Sequence, residues 1–337
     1  MIKHLCLWYD VIRKLLLERD VFMRVATGSA HAKIILIGEH SVVHQQPAIA
    51  VPLKNVKVTA TLRETSRGQR LVSDYFTGEL VDLPGEFEGI RVLLQRLLRR
   101  FDALSLSFVL EIESAIPQER GMGSSAAVAT AIVRAVYSFF EVSLDPQQLL
   151  STVNIEETIT HGSPSGIDAA TVSALQPVWF VKGLPLKHFD IHMNAFLVVG
   201  DTGVTGQTSM AVNSVTELLQ DAEQPGVGQQ LINHLGTLTT AAAGYLQHNQ
   251  VRLLGQTLAD AQADLSALGV SHPVLQKLID AANAAGALGA KLTGGGLGGC
   301  MFALAKTAGQ AKTIAAALTQ HGAVKTWIEP LSGDVNY

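Results

Sequence analysis

Residues 106–140 run from an alternating apolar stretch through the loop IPQERGMGSSAAV (116–128) into a small-residue helical pattern. That order constrains the fold more than any other feature of the chain. Leu106, Phe108, Leu110 and Ile112 fall at period two, which predicts a half-buried strand. Ser124 to Phe140 has helical composition, so the loop joins a strand to a helix. Gly121 and Gly123 allow close backbone approach, and Ser124-Ser125 sit where the helix begins. Such a loop aims free N–H groups and the positive end of the helix dipole at its occupant. A polyphosphate suits it; a plain corner with Ser124 as N-cap accounts for it equally well. A nucleophilic serine fits less well. Eight residues separate Ile116 from Ser125, among them Pro117 and the charged pair Glu119-Arg120, whereas a G-x-S-x-G elbow needs a sharp strand-to-helix turn.

With 337 residues, 47% of them hydrophobic and 16% charged, the chain can build two globular domains around a large core. A net charge of −4 gives no broad basic field, so a nucleic-acid partner is not expected and any anionic ligand must be held locally. No apolar run reaches the length of a membrane span. The two cysteines, Cys6 and Cys300, have no disulfide or metal spacing, which fits a reducing cytoplasm. Residues 1–22 carry charges throughout and lack the apolar core of a secretory signal. Their apolar residues recur at helical spacing, which suits a short amphipathic helix. Met23 offers an alternative start, which would make the extension an artefact of the gene model.

The first half reads as strands at 32–38, 48–53, 56–62 and 69–76, then a helix between Gly85 and Phe101. Asp145-Pro146 opens a further helix running to about Thr160, HGSPSG breaks it, and IDAATVSAL forms another. The strands PVWFV and AFLVV follow. Beyond Gly206 come successive helices, one opening at Ser271 with Pro273 just inside, and the tail returns to strand, helix and strand. A soft boundary falls near Gly183-Leu184-Pro185.

No G-x-x-x-x-G-K-[ST] or protein-kinase signature occurs. Gly294, Gly296 and Gly299 match G-x-G-x-x-G, but the strand-like CMFALA follows where a dinucleotide site needs a helix. Lys33 interrupts an apolar run and reads either as an edge-strand lysine or as a functional cation. Asp168 is equally an ordinary first-turn acid, and Glu156-Glu157 a solvated helix face.

Four segments in order change the weight of these features: AKIILIGEHSVVH (32–44), PQERGMGSSAAVATA (117–131), EETITHGSPSGIDAATV (156–172) and KLTGGGLGGCMFAL (291–304). From Met23 to the end the chain thereby resembles the GHMP small-molecule kinases. Gly38-Glu39-His40 followed by Val42-Val43-His44 is most similar to the mevalonate-kinase branch, where galactokinases carry Thr-Asp after the histidine.

The resemblance implies an α+β, two-domain GHMP kinase fold: a strand-rich ATP-binding domain at 23–184 and a helix-rich, ferredoxin-like domain at 185–337, with the active site between them. It implies ATP- and Mg²⁺-dependent phosphorylation of a small alcohol, the C5 hydroxyl of mevalonate, by a cytoplasmic homodimer. Pro117, Arg120, Gly121, Met122, Gly123, Ser124 and Ser125 would wrap the ATP phosphates, and Ser125 with Glu157 would hold Mg²⁺. Asp168 would take the proton of the attacking hydroxyl, with the Lys33 ammonium beside it. Glu39, His40, Thr208 and Thr293 would line the acceptor site. Two departures stand out. His31-Ala32 replaces the family's usual Pro-Gly before the lysine, and Gly206 stands where animal members carry an arginine, leaving the partner of the substrate carboxylate unassigned.

Overall fold

The computed structural model of the chain describes residues 23–162, 166–174 and 176–331. The reading of 1–22, and the Ser163-Pro164-Ser165 part of the HGSPSG break, lie outside them. The first half forms strands β1 (Val25–Ile37), β2 (Ala48–Glu64), β3 (Gln69–Val72), β4 (Thr77–Glu79), β5 (Phe108–Ser114), β6 (Val178–Phe180) and β7 (Lys187–His188). Helices α1 (Glu88–Arg100), α2 (Ser124–Phe139), α3 (Pro146–His161) and α4 (Ile167–Ala174) lie among them. The sheet runs β4-β3-β5-β2-β6-β7, with β1 paired to β2. The second half holds β8 (Phe196–Asp201), helices α5 (Thr208–Leu219), α6 (Val227–Gln247), α7 (Val251–Ala267) and α8 (Pro273–Ala284), then β9 (Gly289–Leu292), β10 (Cys300–Ala305), α9 (Ala308–Gln320) and β11 (Lys325–Pro330). Its antiparallel sheet has the order β11-β8-β10-β9. That order on a βαββαβ frame is ferredoxin-like, as the resemblance implied.

Local chemistry explains most boundaries. Phe108, Leu110 and Ile112 are buried along β5, as period two requires. Asp145 caps α3, its Oδ1 accepting from Gln148 N at 2.8 Å, with Pro146 in the first turn. The helix expected from Ser271 is instead capped by His272, whose Nδ1 accepts from Val274 N at 3.2 Å.

One difference concerns β2. The sequence reads as two strands at 48–53 and 56–62, yet β2 is continuous. The register with β1 jumps between His31↔Lys57 and Ala32↔Leu53, so the residues between Leu53 and Lys57 bulge out of the ladder. The bulged amides of Lys54 and Asn55 donate to the two carboxylate oxygens of Glu329 at 2.9 and 3.0 Å, satisfying donors that would otherwise be orphaned. Glu329 lies on β11, so the bulge also ties the first sheet to the edge of the second.

Helix α2 lies directly against β1. A Cβ on Gly28 would fall 2.2 Å from the carbonyl oxygen of Ala131, so only glycine permits this approach. The contact sets the middle of α2 close on β1. Apolar residues of both halves, from Leu36 and Ile132 to Leu258 and Phe302, join one continuous core. Among the described residues no helix is long and apolar enough to cross a membrane.

Candidate active site

A cleft of about 780 Å³ opens between the two sheets' domains and collects most of the residues singled out above. One wall is apolar, with Leu71, Tyr75, Phe87 and Ile90 from β3, the turn after it and the start of α1. The floor is the loop that precedes α2. The opposite wall comes from Thr205–Met210 and the glycine loop after β9.

Gly123, not Ser124, is the N-cap of α2. It adopts a left-handed conformation (φ 69°, ψ 35°) that glycine takes without strain. No side chain caps the first turn, so its N–H groups remain available at the cleft floor. Gly121, Gly123, Ser124 and Ser125 line that floor, whereas Pro117 does not. Met122 is fully buried, and its carbonyl accepts from Lys33 N at 3.0 Å, which anchors the loop on β1.

Lys33 is 2% exposed, so its charge does not reach water as an edge-strand lysine's would. Its Nζ lies 2.8 Å from Asp168 Oδ1 and donates to the Gly121 carbonyl at 3.2 Å. The stem packs against the loop: a Cβ on Gly123 would sit 2.9 Å from Lys33 Cε. Asp168, in the first turn of α4, is one-third exposed and faces the cleft. Residues 135 positions apart in the chain thus form one buried-cation, open-carboxylate pair beside the phosphate-type loop.

Glu156 and Glu157 are each only 4% exposed, which overturns the solvated-face reading. Ser125 Oγ lies 2.8 and 2.7 Å from the two oxygens of Glu156, which also accepts from Thr160 Oγ1 at 2.7 Å. Glu157 is next to this cluster, and its Oε1 is buried without a hydrogen-bond partner. Burial, then the negative charges of Asp168 and Glu156, push its carboxyl up to about 8. Glu156 was legible as one of the acidic pair, but not its role as the glutamate that meets Ser125.

Arg120 lines the cleft, yet its guanidinium is turned to the far domain rather than free for phosphate. Nε meets Asp201 Oδ1 at 3.1 Å, Nη1 donates to Thr205 Oγ1 at 3.0 Å and Nη2 to the Gly203 carbonyl at 3.1 Å.

Of the four expected acceptor-site residues, Thr208 and Thr293 line the cleft and Glu39 and His40 do not. Thr293 Oγ1 accepts from Ile35 N at 3.1 Å and donates to Ile35 O at 2.9 Å, pinning the glycine loop to β1. Thr208 opens α5, and a Cβ on Gly295 would approach its Oγ1 to 2.4 Å. Glu39 is buried in an ion pair with Lys291 on β9, itself fully buried. Burial pushes the Glu39 carboxyl up and the Lys291 ammonium down, and their mutual attraction opposes both. Sequence reading passed over Lys291, although a lysine in an apolar run before a glycine loop repeats the Lys33 pattern.

His40 takes a positive φ of 58°, and its Nε2–H donates to the Gly295 carbonyl at 2.9 Å. Burial lowers its imidazole to about 4. The unfolded chain therefore binds a proton here below about pH 6.5 that the folded protein refuses until about pH 4. Stability falls with pH across that window, by about 2 kcal/mol at pH 5 from this group. His40→Asn, which tolerates positive φ, is expected to lose correspondingly less between pH 7.5 and 5 in urea titrations. An equal loss in both proteins would contradict the assignment.

Residues 89–176 match the family described as GHMP kinases N terminal domain, and 242–324 match GHMP kinases C terminal. The chain is 32% identical over 316 residues to the mevalonate kinase of Pyrococcus abyssi, covering 88% of this chain and 92% of that protein. It is 34% identical, with a TM-score of 0.73, to the solved mevalonate kinase of methicillin-resistant Staphylococcus aureus, covering 92% of this chain and all of that one. The L. major mevalonate kinase, solved in complex with R-mevalonate, shares the fold at a TM-score of 0.80 and 24% identity, with 92% and 98% of the two chains covered. Identity at this level over nearly the whole length, together with both family domains, places the chain in the mevalonate kinase branch of the GHMP kinase family.

Proposed function

We propose that the chain transfers the γ-phosphoryl group of ATP to the C5 hydroxyl of mevalonate, giving 5-phosphomevalonate and ADP. The observation that carries this reading is the buried Lys33 ammonium, 2.8 Å from a cleft-facing Asp168, beside an uncapped helix start. The apolar wall of Leu71, Tyr75, Phe87 and Ile90 suits a nucleobase, and the loop at Gly121–Ser125 suits its phosphates through backbone N–H groups.

Asp168 accepts the proton as the C5 oxygen attacks the γ-phosphorus. The new O–P bond forms while the bond from phosphorus to the bridging oxygen of ADP breaks, and Asp168 releases its proton to water as products leave. Lys33 holds Asp168 in place and offers positive charge to the oxygens on which negative charge grows.

Ser125, Glu157 and Glu156 would hold Mg²⁺. Among the described residues no group of three or more His, Cys, Asp or Glu could hold a metal by itself. That suits Mg²⁺, which takes one or two carboxylates and completes its shell with phosphates and waters. The fit rests on the unpartnered Glu157 Oε1 and the crowding of three carboxylates, both of which a divalent cation relieves. When bound, Mg²⁺ neutralises charge on the β- and γ-phosphates. Cytoplasmic location and a homodimer are proposed on the family resemblance.

The functional test is ADP release by purified protein with MgATP and a panel of mevalonate, phosphomevalonate, galactose and homoserine. Turnover with mevalonate alone, or at least tenfold higher kcat/KM for it than for any other, is expected. Preference for another alcohol would overturn the substrate assignment.

A further inference from the structure

We propose that Arg120 is a positioning residue that couples the nucleotide to the acceptor alcohol, a role that rests on the kinase reading above. The loop that receives the phosphates and the segment that opens the acceptor wall come from different domains, and Arg120 is where they lock. The backbone joins them first: Gly206 N donates to the Glu119 carbonyl at 3.0 Å, while Cys300 N, at the start of β10, donates to the Arg120 carbonyl at 3.2 Å and ties the loop to the second sheet. Its side chain then grips the turn after β8 at three points, Asp201, Gly203 and Thr205.

The grip is specific to a guanidinium. Three nitrogens in one plane meet a carboxylate, a carbonyl and a hydroxyl within 3.1 Å, a fork that a lysine cannot reproduce. Asp201 is 4% exposed and also accepts from Gly203 N at 2.8 Å, so the turn is shaped around this one carboxylate. The segment runs on directly into α5, whose first residues Thr208, Ser209 and Met210 line the cleft opposite the phosphate loop.

Filling the phosphate loop fixes residues 119–123, and the Arg120 fork transmits that order to 201–207. The acceptor then meets a wall already in place and binds with a smaller ordering cost. Linkage requires the converse: the acceptor tightens the nucleotide by the same factor. Residues 201–207 contain no Lys or Arg, so Arg120 in the neighbouring domain is the guanidinium that organises this segment.

The test is calorimetric. The Kd of R-mevalonate is measured alone and with saturating Mg²⁺ and the non-hydrolysable analogue AMPPNP, for wild type, Arg120→Gln and Thr205→Val, with thermal melts of each. Wild type is expected to bind mevalonate at least ~5-fold tighter in the ternary complex, and Arg120→Gln less than ~2-fold tighter. Thr205→Val removes one of the three contacts, keeps Asp201 paired, and is expected to fall between them. A merely structural residue would lower the melting point without changing the ratio. Full coupling in either variant, or none in wild type, overturns the proposal; if Arg120→Gln does not fold, Thr205→Val decides it. Wild-type protein that binds AMPPNP but not mevalonate would overturn the substrate assignment itself.

Discussion

Replacing Asp168 with Asn is expected to lower kcat by at least ~10²-fold, the low end for losing a general base, while AMPPNP binding changes less than about threefold. The amide keeps the shape of the side chain but cannot take the proton of the attacking hydroxyl. It also removes the negative partner of a lysine that is 2% exposed, so part of the loss comes through a misplaced ammonium. Steady-state kinetics with separate calorimetry of AMPPNP distinguishes the two. A loss confined to kcat identifies a group that acts in the transition state. Near-wild-type kcat would remove Asp168 from the chemistry and leave it as a first-turn acid of α4.

The second large effect is expected from Lys33. Lys33→Met should lower kcat by ~10²–10³, the range for removing one preorganised charge from a transition state. The variant separates charge from packing. The lysine stem fills space against the phosphate loop, where a Cβ on Gly123 would lie 3.0 Å from Lys33 Cγ, and methionine replaces much of that stem. Lys33→Ala should therefore add a loss of stability that Lys33→Met largely avoids, read as a lower denaturant midpoint. Equal kcat in wild type and Lys33→Met would show that the ammonium serves only to pair Asp168. Removing the cation also leaves Asp168, whose charge acts on Glu157, without the ammonium 2.8 Å from it, so the variant should depend more steeply on Mg²⁺ concentration.

Where function was legible, local pattern was enough. The alternation through Ile112, the glycines at 121 and 123 and the small-residue helix after them announce a strand, a loop and a helix, and the cleft floor is built from that loop. Asp145-Pro146 marks the start of α3 for an equally local reason, a cap and a pre-set φ. What local pattern could not supply was partners. Glu156 reads as a solvated acid because nothing nearby in sequence says that Ser125, thirty-one positions earlier, will meet it. Arg120 reads as a phosphate ligand because its loop does, yet its partner Asp201 is eighty-one positions away, in the other sheet. Nothing near Glu39 in sequence says that Lys291, from the far end of the chain, will pair with it. The strand at 48–64 shows the same limit in the backbone: Lys54-Asn55 looks like a break, and Glu329 makes it a bulge.

These non-local pairs share a geometry. Thr293 on Ile35, Lys291 on Glu39, Glu329 on the β2 bulge and Arg120 on Asp201 all bridge the two halves of the chain. Each is buried or half-buried, where a hydrogen bond or ion pair is costly to leave unmade. The two halves are therefore joined by partners that form only when both have folded. The proposed catalytic pair, Lys33 and Asp168, by contrast, lies within the first half and needs only α4 to pack beside β1.

The central claim is that Asp168 and Lys33 meet the acceptor alcohol at the γ-phosphate, and a crystal structure with Mg²⁺, AMPPNP and R-mevalonate tests it most directly. The C5 oxygen is predicted within about 3 Å of an Asp168 carboxylate oxygen, with the γ-phosphate over the first turn of α2 and in line with that oxygen. A C5 hydroxyl turned away from Asp168, or a γ-phosphate bound elsewhere than the Gly121–Ser125 loop, would contradict it.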